Sequence, residues 1–189
     1  FCTSLAAVFI SQVTMMLGKL FFVAKDAETD TSESVALSFA GLVAGLSTAF
    51  ASSIWFSAVE GEVYAMSTMF TALTLWSAIK YYMNTDENAA MRWLLFSIFA
   101  GALSIGVHLL SILTFPTIGL LVYLKKYQNH NWTGAFAALA AGGGVMIFLQ
   151  RFVIAGIPAL WKNMELFTVN TLGLPFHTGL IPTLLLLGG

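Results

Sequence analysis

The feature that most constrains this chain is a succession of apolar runs, each about as long as a bilayer is thick, separated by short polar breaks. A helix that crosses the hydrocarbon core needs about 20 mostly apolar residues. The first run is Phe1 to Val23, followed by the charged loop from Lys25 to Glu33. The second is Val35 to Phe56, and the third is Val63 to Met83. Charged residues make up only 9% of the chain, against about 25% in a soluble domain, so the apolar runs have lipid around them. The expected fold is all-α, a polytopic transmembrane helical bundle with about six to seven spans.

After the turn at Asn84, the apolar stretch Trp93 to Leu124 is too long for one crossing. As a single helix it would reach about 48 Å, against a core of about 30 Å. Two short legs meeting near His108 to Ser111 fit better, with Pro116 shaping the second. Beyond the basic loop Lys125 to Trp132, a span is expected over Gly134 to Phe152, with Gly142, Gly143 and Gly144 as a packing or flexibility feature. Ile157 to His177 holds Trp161, Lys162, Glu165 and Phe176, and reads as an interfacial amphipathic segment. Thr178 to Gly189 opens a further, truncated span. In the second run, Gly41 and Gly45 with Thr48 and Ser52 make a small-residue stripe suited to close helix contact.

Two carboxylates, Glu60 and Glu62, stand between the second and third runs. A charge at the centre of a spanning helix costs about 2.5–3.5 kcal/mol on insertion scales, so such acids are expected at a helix mouth or in a watered cavity. There they could act as a general base or bind a cationic group, or simply be solvated. If this mouth is outside, Lys25, Lys80, Arg92, Lys125 and Lys126 all fall at cytoplasmic ends with Lys19 nearby, as the positive-inside rule favours. Arg151 and Lys162 are left outside. Glu60, Glu62, His108, Arg151 and His177 are then expected on one outer face, and His130 on the other side.

His108 follows Gly101, Ser104 and Ile105 on one helical stripe, where it could move a proton, bind phosphate or bond to a neighbouring carbonyl. Arg151 could hold a phosphate or pair with a glutamate, or it could snorkel from a helix end. No second histidine stands at ligand spacing and the single cysteine is Cys2, so no metal site is read; a divalent metal is not supported by the sequence. A net charge of −1 excludes a nucleic-acid partner, and no glycine-rich phosphate loop or nucleophile elbow is present.

The run Trp55 to Met66, with Glu62-Val63-Tyr64 at its centre, and the later Gly101 to Leu110, with Ala102-Leu103-Ser104, resemble a known family. It is the bacterial polytopic membrane family of unknown function related to transmembrane protein 260, a protein O-mannosyltransferase. The resemblance spans nearly the whole chain. It implies a fold of the GT-C type and a glycosyltransferase that takes a sugar from a polyprenyl-phosphate donor to a protein or glycan acceptor on the extracytoplasmic face of the bacterial inner membrane. It implies catalytic roles for Glu62 and Glu60, and substrate-binding roles for His108, Arg151, Tyr64 and His177. The family's key acid lies in a first outer loop with segments like Asp-Ser-Gly-Glu and His-Pro-Pro-Gly, and this chain has neither. The chain is therefore expected to be a fragment, 1–189, of one transmembrane domain, inactive alone, with Glu62 in a supporting role. The alternatives are a transporter of a lipid-linked or polar solute, for which inverted repeats would be expected, and a membrane scaffold without chemistry.

Overall fold

The computed structural model describes residues 1–23, 29–59, 63–127 and 129–188, and among them every regular element is helical. The chain divides into two compact units, Phe1–Gly142 and Gly143–Gly189.

The first unit opens with an antiparallel pair, α1 (Cys2–Phe22) and α2 (Thr31–Phe50). Helix α2 starts at Asp30, which closes a capping box with Glu33. Gly41 and Gly45 have the role expected of the small-residue stripe, but Ser52 leaves it, because it begins the next helix. A Cβ on Gly41 would meet Met15 Cγ at 2.5 Å and the Ser11 carbonyl at 3.1 Å, and one on Gly45 would meet Ser11 and the Ala7 carbonyl. The second run does not stay one helix to Phe56. Ala51 is extended (φ −62°, ψ 127°), and Ser52–Val59 forms a separate helix, α3. Ala51-Ser52-Ser53 is the weak point, because serines compete for backbone partners and hold helices poorly.

Helix α4 (Tyr64–Met83) is the third expected span and the centre of the unit. It touches α1, α3, α5 (Glu87–Ile105), the 3₁₀ turn Leu109–Thr114 and α6 (Phe115–Lys126). The long apolar stretch is two legs, as its length requires: α5 ends at Ile105, and α6 begins with Pro116 in its first turn, where a missing N–H costs nothing.

The interior mixes apolar side chains such as Phe70, Ile79, Ile112 and Ile118 with buried hydroxyls. Ser67, Thr74, Ser77, Ser97, Ser104 and Ser111 are 0–1% exposed, whereas Phe39, Leu42, Phe99 and Leu103 face outward. Small and hydroxyl-bearing residues let helices approach and hydrogen-bond where lipid supplies no hydrophobic drive, at about 0.6 kcal/mol per bond on average. Ser97 Oγ donates to the Thr74 carbonyl at 2.9 Å across the α4–α5 seam. Helix α7 (Trp132–Phe148) continues the tight packing: a Cβ on Gly119 would lie 2.8 Å from the Ala138 carbonyl, and one on Gly142 would lie 2.6 Å from the Phe115 carbonyl.

The second unit takes the end of α7, a π turn at Leu149–Ile154, α8 (Gly156–Asn170) and α9 (Leu180–Gly188). The expected division between a span ending near Phe152 and an interfacial stretch from Ile157 is not a chain break. The π turn carries the helix onward, so Trp132–Asn170 is one helical run of 39 residues, and residues 171–179 form the turn before α9. The wider turn sits just before Pro158, whose ring and missing N–H an unbroken α-helix would not accept.

Among the described residues, five helical runs are long and apolar enough to cross a membrane: Cys2–Phe22, Thr31–Phe50, Glu87–Ile105, Leu109–Lys126 and Trp132–Asn170. The protein is an integral membrane protein. Helix α4 falls outside this set because its serines, threonines, tyrosines and Lys80 make it less apolar than the others.

Candidate functional site

The first unit has two chemically different ends. At one end lie the last turns of α1, α4 and α6 and the start of α5, carrying Lys19, Lys80, Arg92, Lys125 and Lys126. Lys125 Nζ fixes this arrangement: it donates to the Asn84 carbonyl at 2.5 Å and the Tyr82 carbonyl at 3.3 Å, and lies 5.1 Å from the centre of the Tyr81 ring. Lys80 lies 5.6 Å from the Trp76 ring. His130 also belongs to a loop that follows α6, where Nε2 meets the Leu124 carbonyl at 2.7 Å.

The opposite end gathers the start of α4 and the junction after α5. Here the rings of Tyr64 and His108 lie 4.9 Å apart, tilted by 53°. Tyr64 is the first residue of α4 and 45% exposed. His108 is not on the helical stripe that the sequence suggests. Its N–H and that of Val107 both reach the Ser104 carbonyl at 2.9 Å, ending α5, and His108 itself is extended (φ −160°, ψ 142°). Its Nδ1 accepts from the Leu110 N–H at 3.1 Å, making it the cap of the 3₁₀ turn. A neutral imidazole that accepts at Nδ1 carries its proton on Nε2, which is left to donate.

Glu60 and Glu62 lie outside the described residues, in the connection that delivers the chain from α3 to Tyr64. Beside α3, a cavity of about 410 Å³ opens between the start of α1 and the end of α2, lined by Thr3, Ser4, Phe50, Ile54, Trp55 and Val59. Its walls are mostly apolar.

Arg151 and His177 belong to the second unit. Arg151 is exposed in the π turn, and π turns recur at functional sites. His177 is exposed and has φ 73°, the left-handed region that only a well-determined loop imposes on such a residue. What imposes it is Glu165, a residue that the sequence did not mark out as a site. Its carboxylate accepts from the His177 N–H at 2.5 Å and the Gly179 N–H at 2.9 Å. The structure thus brings together Tyr64 and His108 in one unit and holds His177 through Glu165 in the other. Among the described residues, no group of three His, Cys, Asp or Glu side chains is placed to hold a metal ion.

The family described as the protein O-mannosyl-transferase TMEM260 N-terminal domain matches residues 1–131, which is nearly all of the first unit. No curated relative and no solved structure matches the chain. The match covers well over half of the sequence and includes both the Trp55 to Met66 and the Gly101 to Leu110 segments, and the chain accordingly belongs to the family of the TMEM260-type protein O-mannosyl-transferase N-terminal domain.

Proposed function

We propose that this chain is the membrane portion of a glycosyltransferase of the GT-C type, one that moves a sugar from a polyprenyl-phosphate donor to a protein or glycan acceptor at the extracytoplasmic face of a bacterial inner membrane. The observation that carries this reading is the pairing of Tyr64 with His108 at the end of the first unit opposite its basic residues, in a chain of an O-mannosyltransferase family. Basic residues favour the cytoplasmic side, so the Tyr64–His108 end faces outward in this reading. A lipid-carried donor arrives there at the outer leaflet.

Inverting transfer needs a base on the acceptor hydroxyl and relief of charge on the departing phosphate. In this scheme Glu62 and Glu60 act at the mouth, with Glu62 orienting the acceptor or the base. His108 offers Nε2–H to the donor phosphate, and Tyr64 fixes the imidazole and lines the sugar site; within the second unit, Arg151 and His177 keep the substrate-binding roles that the family resemblance implies. The two units are taken as parts of one transmembrane domain. The apolar cavity beside α3 suits the first isoprene units of the carrier.

The test is transfer of radiolabelled sugar from polyprenyl phosphate in membranes holding the full-length protein. Glu62→Gln is expected to lose more than about tenfold, about 1.4 kcal/mol of transition-state stabilisation. No transfer by intact, folded wild type from any polyprenyl-phosphate sugar would overturn the reading in favour of a transporter or scaffold. Orientation has its own test. On a Cys2→Ser background, Glu62→Cys is expected to react with an impermeant maleimide from outside and Gln128→Cys is not.

A further inference from the structure

Four buried hydroxyls of the first unit have no hydrogen-bond partner: Ser67 Oγ, Thr71 Oγ1 and Thr74 Oγ1 on α4, and Ser104 Oγ on α5. Ser67 is 1% exposed and Ser104 is fully buried. Their neighbours behave differently. Thr68 donates back to the Tyr64 carbonyl at 2.8 Å, and Ser77 to the Leu73 carbonyl at 2.8 Å, as hydroxyls on apolar helices ordinarily do. Ser67 and Thr71 do not, so their oxygens point away from their own helix's carbonyls.

The register across the seam says what they point towards. Helices α4 and α5 run antiparallel, with Thr74 against Ser97 and Gly101, and Tyr64 against His108. Moving from Thr74 back to Thr71 and Ser67 moves the partner forward along α5, to Ser104. By this register Ser67, Thr71 and Ser104 fall near one level of the seam, below the Tyr64–His108 pair, and Thr74 lies one turn deeper, beside Ser97 and Gly101. A buried hydroxyl left without a partner is costly, and three at one place cost more than packing with apolar residues would. The ordinary resolution is internal water, which typically makes about three hydrogen bonds to such groups.

We propose that the α4–α5 seam binds ordered water between Ser67, Thr71 and Ser104. Water held there satisfies all three oxygens and lies directly beneath the point where α5 breaks and His108 caps the next turn. The site is independent of the reaction that the protein performs.

The sign of a stability change tests it, read by thermal unfolding of the full-length protein in detergent. Thr71→Val keeps the side chain's shape and deletes only the hydroxyl. If water bridges the three groups, Thr71→Val lowers the Tm by about 2–4 °C, as the loss of one ordinary hydrogen bond does in a domain of this size. Ser67→Ala and Ser104→Ala lower it too, and the double variant falls by less than their sum, because the two share a partner. If the seam is dry, each deletion removes an unpaired buried group, so an unchanged or raised Tm for Thr71→Val overturns the proposal. An experimental structure that resolves ordered solvent gives the direct readout: density within hydrogen-bond reach of the three oxygens supports the site, and an empty, closed seam overturns it.

Discussion

The imidazole of His108 does two things at once: Nδ1 accepts the Leu110 N–H at 3.1 Å, and the ring packs against Tyr64 at 4.9 Å between centroids. The first ties the residue to its own turn and the second ties that turn to the start of α4. Neither contact uses Nε2, which makes no hydrogen bond with the described residues.

These two duties separate under substitution. His108→Ala removes the cap and the ring contact, and is expected to cost about 1 kcal/mol of stability, the ordinary worth of a cap. His108→Asn keeps a side-chain oxygen for the Leu110 N–H and recovers most of that loss. Sugar transfer is expected to stay depressed in both. Thermal unfolding and transfer rates on the same preparations check this; recovery of activity by Asn would reduce His108 to a cap.

Three consecutive glycines in α7 are expected to respond in opposite directions. A Cβ at position 142 would lie 2.6 Å from both the Phe115 carbonyl and Pro116 Cα, backbone atoms that cannot swing aside. Gly142→Ala should therefore destabilise by about 1–3 kcal/mol, as overpacking does. Gly143 and Gly144 have nothing within reach. There alanine restores helix propensity, worth about 0.5–1 kcal/mol, so Gly143→Ala and Gly144→Ala should be neutral to stabilising. Parallel melts of the three variants decide it.

Asp30 gives the start of α2 a pH dependence. The Ser32 hydroxyl and the Thr31 N–H both donate to its carboxylate, at 2.9 and 2.6 Å, and hold its pKa below the ordinary 3.8. A lowered folded-state value means that the cap's contribution is complete above the unfolded value and is lost as pH falls through the folded one. Amide exchange in the first turn of α2 should therefore be independent of pH near neutrality, after correction for intrinsic rates, and accelerate only under acid below the usual carboxylate range. Asp30→Asn should abolish that acid step while keeping part of the cap.

What the sequence made legible was set by length and by composition. The break after Ile105 could be read because the stretch from Trp93 to Leu124 is too long for one crossing and contains Pro116. The membrane class followed from the scarcity of charge. The break at Ala51 was hidden, since no proline or glycine marks it and the apolar run continues past it. Helix α8 lies within the stretch whose mixed polarity reads as an interfacial amphipathic segment; its continuity with α7 through the π turn was what stayed hidden. The buried hydroxyls left a signal that was not used: Ser67, Thr71 and Thr74 stand four and three apart, facing Ser97 and Ser104 at seven. Glu60 and Glu62 were legible as acids between two apolar runs and lie outside the described residues.

Glu165 had no sequence signal, because its partners are backbone amides whose positions depend on the turn between α8 and α9. Gly173 and His177 both take positive φ (67° and 73°) in that turn, and the carboxylate spans the His177 and Gly179 N–H groups. A Cβ on Gly179 would press into the Glu165 backbone, so helix and loop are in direct contact. Glu165→Ala removes both acceptors, leaving only the turn's own bonds, such as Leu180 N–H to the His177 carbonyl at 3.4 Å, to hold His177. Exchange of the 177 and 179 amides is expected to lose most of its protection. Glu165→Gln keeps one carbonyl oxygen and is expected to retain protection at one amide only. If His177 serves phosphate binding, both variants should raise the KM for the donor more than they lower kcat, since they unseat a binding residue without touching the reacting atoms. Unchanged exchange in Glu165→Ala would show that the loop is held by its turns alone, and would remove Glu165 as the residue that positions His177.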